Sequence, residues 1–188
     1  LYAEQLVGTA WLDDGRLVPR LATAWRRPDA STLELTLREG VRFHDGRLMT
    51  VEDVAFSFAE RLFGTRGASG AGSSTILAGA AGKEPPAEVI AVGRRTYPAL
   101  ERIEIVDRST VRYVNRTPDV TLEGRLAQSV GAILSRESFA AAENWLAWGR
   151  APVGTGPYRI AEFRPDTMLV MEAHDAYWGG RPPARRLR

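Results

Sequence analysis

The sequence predicts a mixed α/β domain of the α+β type, and three observations carry that prediction. Apolar and polar residues alternate in STLELTLREGVRF, in LERIEIVDRSTVRYVN and again between Tyr158 and Ala173, as half-buried strands require. An amphipathic helical pattern runs from Val51 to Phe63, with Val51, Val54, Ala55, Phe58 and Leu62 on one face. Glycine- and proline-rich stretches separate these segments.

The chain of 188 residues suits one sizeable domain or a large piece of a bigger protein. Its apolar fraction of 44% supports a real core. A net charge of +2, with basic clusters only at Arg94–Arg95 and Arg181–Arg188, gives no footprint for nucleic acid. Lys83 is the single lysine among 25 basic residues. With no cysteine, disulfides, thiolate metal sites and cysteine nucleophiles are excluded. No apolar run approaches the ~20 residues of a membrane-spanning helix. The start at Leu1–Tyr2, without methionine, leads us to expect a processed or trimmed N-terminus.

Asp14–Gly15 marks the first turn, and Leu21, Ala22 and Trp25 suggest one helical turn after it. In the first alternating segment Leu33, Leu35 and Leu37 share a face opposite Glu34 and Thr36. Glu39–Gly40 then turns the chain into Val41–Phe43, and Asp45–Gly46 turns it again. Thr50 stands at the N-cap of the amphipathic helix with Asp53 three residues on, close to a capping box. Residues 64–82 read as a long Gly/Ala/Ser loop with a short helical piece at Thr75–Ala80, and KEPPAEV continues the irregular stretch. A hairpin is expected around Asp107–Thr110, a helix through Leu122 and Leu126 after Pro118, and a second helix from Ser135 to near Gly149. After a turn at Gly154–Pro157 come strands at Tyr158–Phe163 and Met168–Ala173, then a turn-rich basic tail without a closing element.

Candidate chemistry is sparse. His44 and Asp45 are neighbours on an extended segment, so their side chains point apart, and the pair reads as turn support with Gly46 at the positive-φ position. His44 is expected to tuck over the helix start. With His174 as the only other histidine there is no HxxxH or HExxH metal pair, and Glu52–Asp53 complements the helix dipole rather than binding an ion. Neither the glycine loop nor GTGPY has the lysine and following helix of a phosphate-binding loop, and no GxSxG elbow occurs. Trp11, Trp25, Trp145, Trp148 and Trp178 suit either a ligand cleft or packing under loops.

The order of four segments resembles the family 5 solute-binding proteins, the peptide- and nickel-binding receptors of ABC importers. The segments are LVPRLATAW, LELTLREGVRFHDGRLMTVEDVAFSF, PVGTGPYRIAEF and DAYWGGRPP. They match a family pattern of P-x-LA-x-x-W, LR-x-G-V-x-FHDG-x-x-x-T-x-EDV-x-FS, P-V-GTGPY and YWGG-x-P. The resemblance implies a partial first lobe of a two-lobed periplasmic-binding-protein type II fold with its satellite subdomain. Residues 1–10 and 150–188 would belong to the main first lobe and 11–149 to the satellite, with the second lobe absent. It implies that His44, Asp45, Gly46, Thr50, Asp53, Gly154, Gly156, Tyr158, Tyr177 and Trp178 are fold features, and that nothing is catalysed. Ligand contacts are expected at Ser73, Ser74 and Thr75 (segment Ser73–Leu77) and at Ser129, Val130 and Gly131 (segment Ser129–Ala132). The implied function is capture of a solute, a peptide first of all, for an ABC permease outside the cytoplasmic membrane, with a lipid anchor in many members and no cofactor, metal or nucleic acid. The length implies a fragment, since family members are more than twice as long. Two other readings stay open: an effector-sensing domain of a transcription regulator, and a hydrolase using His44–Asp45.

Overall fold

The computed structural model describes residues 1–65, 67–76 and 85–188. Strands β1 (Glu4–Gln5) and β2 (Val7–Ala10) come first, and β2 returns through Asp14 and Gly15, both at positive φ, into β3 (Arg16–Pro19). β4 (Ala22–Asp29) follows, where one helical turn was expected at Leu21–Trp25. Ala22 and Trp25 pair with Leu37 and Leu35 of β5 (Thr32–Leu37). Four apolar residues in five fit either period, and the ladder's hydrogen bonds decide for the strand.

The capped helix is interrupted at Ala59, giving α1 (Val51–Phe58) and α2 (Glu60–Phe63), and Gly64 in the left-handed region ends it. Residues Ser74–Ile76 form β6, a strand where the helical piece was expected, and residues 77–80 of that piece lie outside the described residues. Another expectation fails at KEPPAEV. Helix α3 (Ala87–Thr96) begins there directly after Pro86, which presets the backbone at the helix start.

β7 (Leu100–Ile105) and β8 (Thr110–Asn115) make the expected hairpin, followed by α4 (Leu122–Leu126) and a 3-10 turn at Ser129–Gly131. After β9 (Ala132–Ile133) the helix expected over 135–149 is two helices, α5 (Arg136–Ala141) and α6 (Trp145–Gly149). Asn144 interrupts it by capping α6, its side chain accepting the Ala147 amide. β10 (Tyr158–Arg164) and β11 (Met168–Ala173) are as expected, but the tail does close on them: β12 (Arg186–Leu187) pairs with β11.

Five antiparallel strands in the order β4-β5-β8-β7-β6 form the main sheet. Register lines up the alternation across it. Leu33 faces Tyr113, which faces Ile103; Leu35 faces Val111, which faces Ile105. This face is buried under α1, where Phe58 meets Tyr97 and Tyr113 edge-on at 5.3 and 4.9 Å. Each such side chain contributes about 1.5–3 kcal/mol by leaving water. On the opposite face the same register sets Arg26, Glu34, Arg112 and Glu104 in a row of ion pairs. The Arg112 guanidinium holds the Glu34 carboxyl below its usual range. A two-layer α+β arrangement results, as the alternation predicted. Among the described residues no helix is long and apolar enough to cross a membrane.

Candidate functional site

The resembling motifs lie far apart in sequence and converge on the N-terminal strand. The loop Gly154–Pro157 runs directly under Leu1–Ala3. The Gly156 and Tyr158 amides donate to the carbonyls of Tyr2 (3.1 Å) and Leu1 (3.3 Å). A Cβ on Gly154 would overlap the Tyr2 carbonyl oxygen, and one on Gly156 the Leu1 carbonyl oxygen. Glycine is demanded here by close approach of two backbones.

His44 clamps the other side of this loop. Its main-chain amide donates to the Gly154 carbonyl at 3.0 Å and its Nε2 lies 3.0 Å from the Gly156 carbonyl oxygen. A carbonyl only accepts, so Nε2 carries the proton. The ring meets His174 edge-on at 5.1 Å. Burial first, then the nearby His174 and Arg159 charges, pull the His44 pKa down to about 4, against the pull of its bond to Gly156. The imidazole is neutral near pH 7 and spent on the loop, rather than tucked over the helix start. Asp45 does what the turn needs: its Oδ1 accepts the Arg47 amide at 3.1 Å while Gly46 sits at φ +86°. The two side chains form no dyad.

YWGG closes the knot through Glu4, which is only 8% exposed. Its carboxylate accepts the Tyr177 hydroxyl (2.8 Å), the Trp178 indole N–H (2.8 Å) and the Thr155 hydroxyl (3.3 Å). Burial and the Glu4 carboxylate together raise the Tyr177 phenol above its ordinary value. The Arg38 guanidinium lies 4.2 Å over the Trp178 ring.

Asp53 is more than a helix cap. Its Oδ2 accepts the Thr50 amide and hydroxyl at 2.9 and 3.0 Å, completing the capping box, while Oδ1 accepts the Arg136 amide at 2.9 Å. Burial raises its pKa, and these bonds work against that rise. One carboxylate thus ties the start of α1 to the start of α5.

The two expected ligand segments occupy different parts of this frame. Ser73–Thr75 lies along the edge of the main sheet: Ile105 donates to the Ser73 carbonyl, the Ser73 hydroxyl donates to the Gly70 carbonyl at 2.6 Å, and Thr75 is buried opposite Ile103. Leu77, the end of that segment, lies outside the described residues. Ser129–Gly131 forms the 3-10 turn ahead of β9, which pairs with β1 through Gln5↔Ala132. Ser129 is exposed and Gly131 is buried. A Cβ on Gly131 would lie 2.8 Å from the Tyr97 hydroxyl and 2.9 Å from the Leu126 carbonyl.

Beside β1 runs an open groove of about 410 Å³, lined among others by Gln5, Thr9, Trp11, Arg20, Ala127 and Tyr177. Trp11, at the tip of the β2–β3 hairpin, is 85% exposed and does not pack. The remaining tryptophans do pack: Trp25 and Trp178 against the main core, Trp145 and Trp148 around Phe56 and Phe139. Among the described residues no group of three His, Asp or Glu is arranged to hold a metal ion. Sequence reasoning missed Glu4 and Arg61. Glu4 sits in a two-residue strand without periodicity, whereas Asp53, Ser57 and Arg61 at intervals of four were a readable polar stripe.

The sequence model of the bacterial extracellular solute-binding proteins, family 5 (middle), matches residues 16–188, and the chain belongs to that family. It is similar to di/tripeptide-binding protein 2 of Pseudomonas aeruginosa, with 30% identity over 88% of this chain and 31% of that protein. Heme-binding protein A of Haemophilus influenzae is 29% identical over 90% of this chain and 30% of its own length. Among solved structures, the PBP AgaA of A. tumefaciens R10 in complex with agropinic acid superposes with a TM-score of 0.75 at 27% identity, covering 98% of this chain and 32% of AgaA. The chain thus spans about a third of the length of these relatives. They are binding proteins, and the hydrolase reading of His44–Asp45 falls with that relation and with the bonds His44 makes.

Proposed function

We propose that this chain is part of the first lobe of an extracytoplasmic receptor that captures a peptide and delivers it to an ABC permease. In this reading residues 1–10 and 150–188 belong to the main lobe and 11–149 to the satellite subdomain. A second lobe, outside these 188 residues, closes over the ligand, and the closed form docks on the permease. The observation that carries the reading is the knot of GTGP, FHDG and YWGG on the N-terminal strand, in a chain 30% identical to a di/tripeptide-binding protein. These motifs fix the frame beside which the groove and the Ser129–Gly131 turn lie.

Ligand contact is assigned to Ser73–Thr75 and Ser129–Gly131. Ser129 is exposed on a turn whose Gly131 backs onto Tyr97 and Leu126. The test is native mass spectrometry of the full-length protein purified without denaturation, with the bound species released and weighed. A spread of masses matching short peptides is expected. One discrete non-peptide mass would keep transport and replace the substrate.

A further inference from the structure

One face of the α1–α2 helix carries a buried polar stripe. Asp53, Ser57 and Arg61 follow one another at intervals of four. Each grips the main chain of the segment 130–136, and only at alternate residues. Asp53 Oδ1 accepts the Arg136 amide at 2.9 Å, and Ser57 Oγ accepts the Leu134 amide at 3.0 Å. Arg61 Nη2 donates to the carbonyls of Ala132 (3.0 Å) and Val130 (2.6 Å). The stripe also braces itself. Ser57 Oγ donates to the Asp53 carbonyl at 2.7 Å, and Arg61 Nε to the Ser57 carbonyl at 3.0 Å.

The spacing explains why the match continues over three rungs. Four helical residues rise about 6 Å. Two extended residues advance about 6.6 Å. A helix can therefore read every second residue of a strand laid antiparallel to it for this distance. β1 pairs with the same segment through its own backbone, so 130–136 is held by a strand and by the helix stripe.

Arg61 is the costly rung. It is buried, and among the described residues it forms no ion pair. Burial pulls its pKa down, to about 10. A buried charge is costly unless hydrogen bonds satisfy it, and here three main-chain carbonyls do so. What the guanidinium adds is a bridge: Nη2 holds the Val130 carbonyl inside the turn and the Ala132 carbonyl just after it, while Nε is anchored on Ser57. From beneath, the turn also rests on Tyr97, whose hydroxyl donates to the Arg125 carbonyl at 3.2 Å. Gln128 and Ser129 remain exposed on the outer side.

We propose that the Asp53–Ser57–Arg61 stripe holds the Ser129–Gly131 turn in its ligand-facing position, with Arg61 as the positioning residue. The inference rests on the reading that this turn meets the solute. It assigns Arg61 a role in affinity without contact to ligand.

The test uses the full-length protein with Arg61→Met and Arg61→Lys, and a core control, Leu35→Ala, which lowers stability away from the turn and from Ser73–Thr75. Two quantities are read: amide exchange of Gly131, whose N–H bonds the Gln128 carbonyl at 2.9 Å, and the dissociation constant for trialanine. In Arg61→Met, exchange is expected to quicken and affinity to fall, each at least tenfold. Arg61→Lys recovers part of both, and the core control stays within twofold of wild type. Unchanged Gly131 exchange in Arg61→Met overturns the proposal, as does a core control that loses affinity in proportion to stability. Ser129→Trp separates the two readings. If it binds trialanine like wild type while Arg61 still governs exchange, the ligand assignment of the turn fails and the grip of the stripe stands. If wild type binds no trialanine, the peptide reading loses support and the exchange measurement alone decides the stripe.

Discussion

Glu4 offers the sharpest test of the motif knot, through its replacement by alanine. The carboxylate receives two short bonds, from Tyr177 and Trp178 at 2.8 Å, and a longer one from Thr155 at 3.3 Å. A bond to a charged group is worth about 1.5–3 kcal/mol net. Tyr177 and Trp178 are half-exposed, so water takes over part of what alanine gives up, while Thr155 is fully buried and keeps its loss. The expected destabilisation is about 2–4 kcal/mol, mostly from the two short bonds. For a domain of this size each kcal/mol lowers Tm by about 2–4 °C. Glu4→Gln should cost less, about 1–2 kcal/mol, because an amide oxygen still accepts the indole N–H and the tyrosine hydroxyl can reverse its role. Urea unfolding followed by tryptophan fluorescence measures both variants. A loss below 0.5 kcal/mol for Glu4→Ala would refute the view that YWGG acts by clasping Glu4.

Gly156→Ala places a methyl group on the Leu1 carbonyl, so residues 1–5 should detach, seen as amide exchange at Gln5 rising at least tenfold while the main sheet stays protected. Phe58→Ala, which opens a cavity between Tyr97 and Tyr113, should cost about 3–5 kcal/mol in the same urea experiment. His44 should give a pH signature. The fold keeps it neutral down to about pH 4, whereas the unfolded chain takes up the proton near pH 6.5, so His44 lowers stability progressively as pH falls through that window. His44→Gln should flatten the wild-type slope between pH 6.5 and 4; parallel curves would mean that the imidazole is not held neutral.

Much of the fold was legible because its register follows from alternation. Leu33, Leu35, Ile103, Ile105 and Val111 announce one face, and the charges between them announce the other. The misses have physical reasons. Leu21–Trp25 fits two periods, and only the partner strand chooses. Helix α3 was hidden because Pro85–Pro86 look like a breaker when they are a start signal. β12 has two residues and exists only because β11 offers it an edge. At the candidate site the sequence exposed the glycine and histidine motifs but not what they clasp. Glu4 carries no local pattern, and its three donors lie more than 150 positions away.

That separation has a consequence for assembly. A chain made from its N-terminus presents Glu4 long before Thr155, Tyr177 and Trp178 exist. Loop closure over such a distance comes late, after the hairpin β7–β8 and the α1 face have condensed. The first strand is then the final stave of the barrel-maker's work, set into a body already shaped by its neighbours. Pulse-labelling of amides during refolding would show it: Gln5 should gain protection after Ile103 and Tyr113, and simultaneous protection would contradict this order.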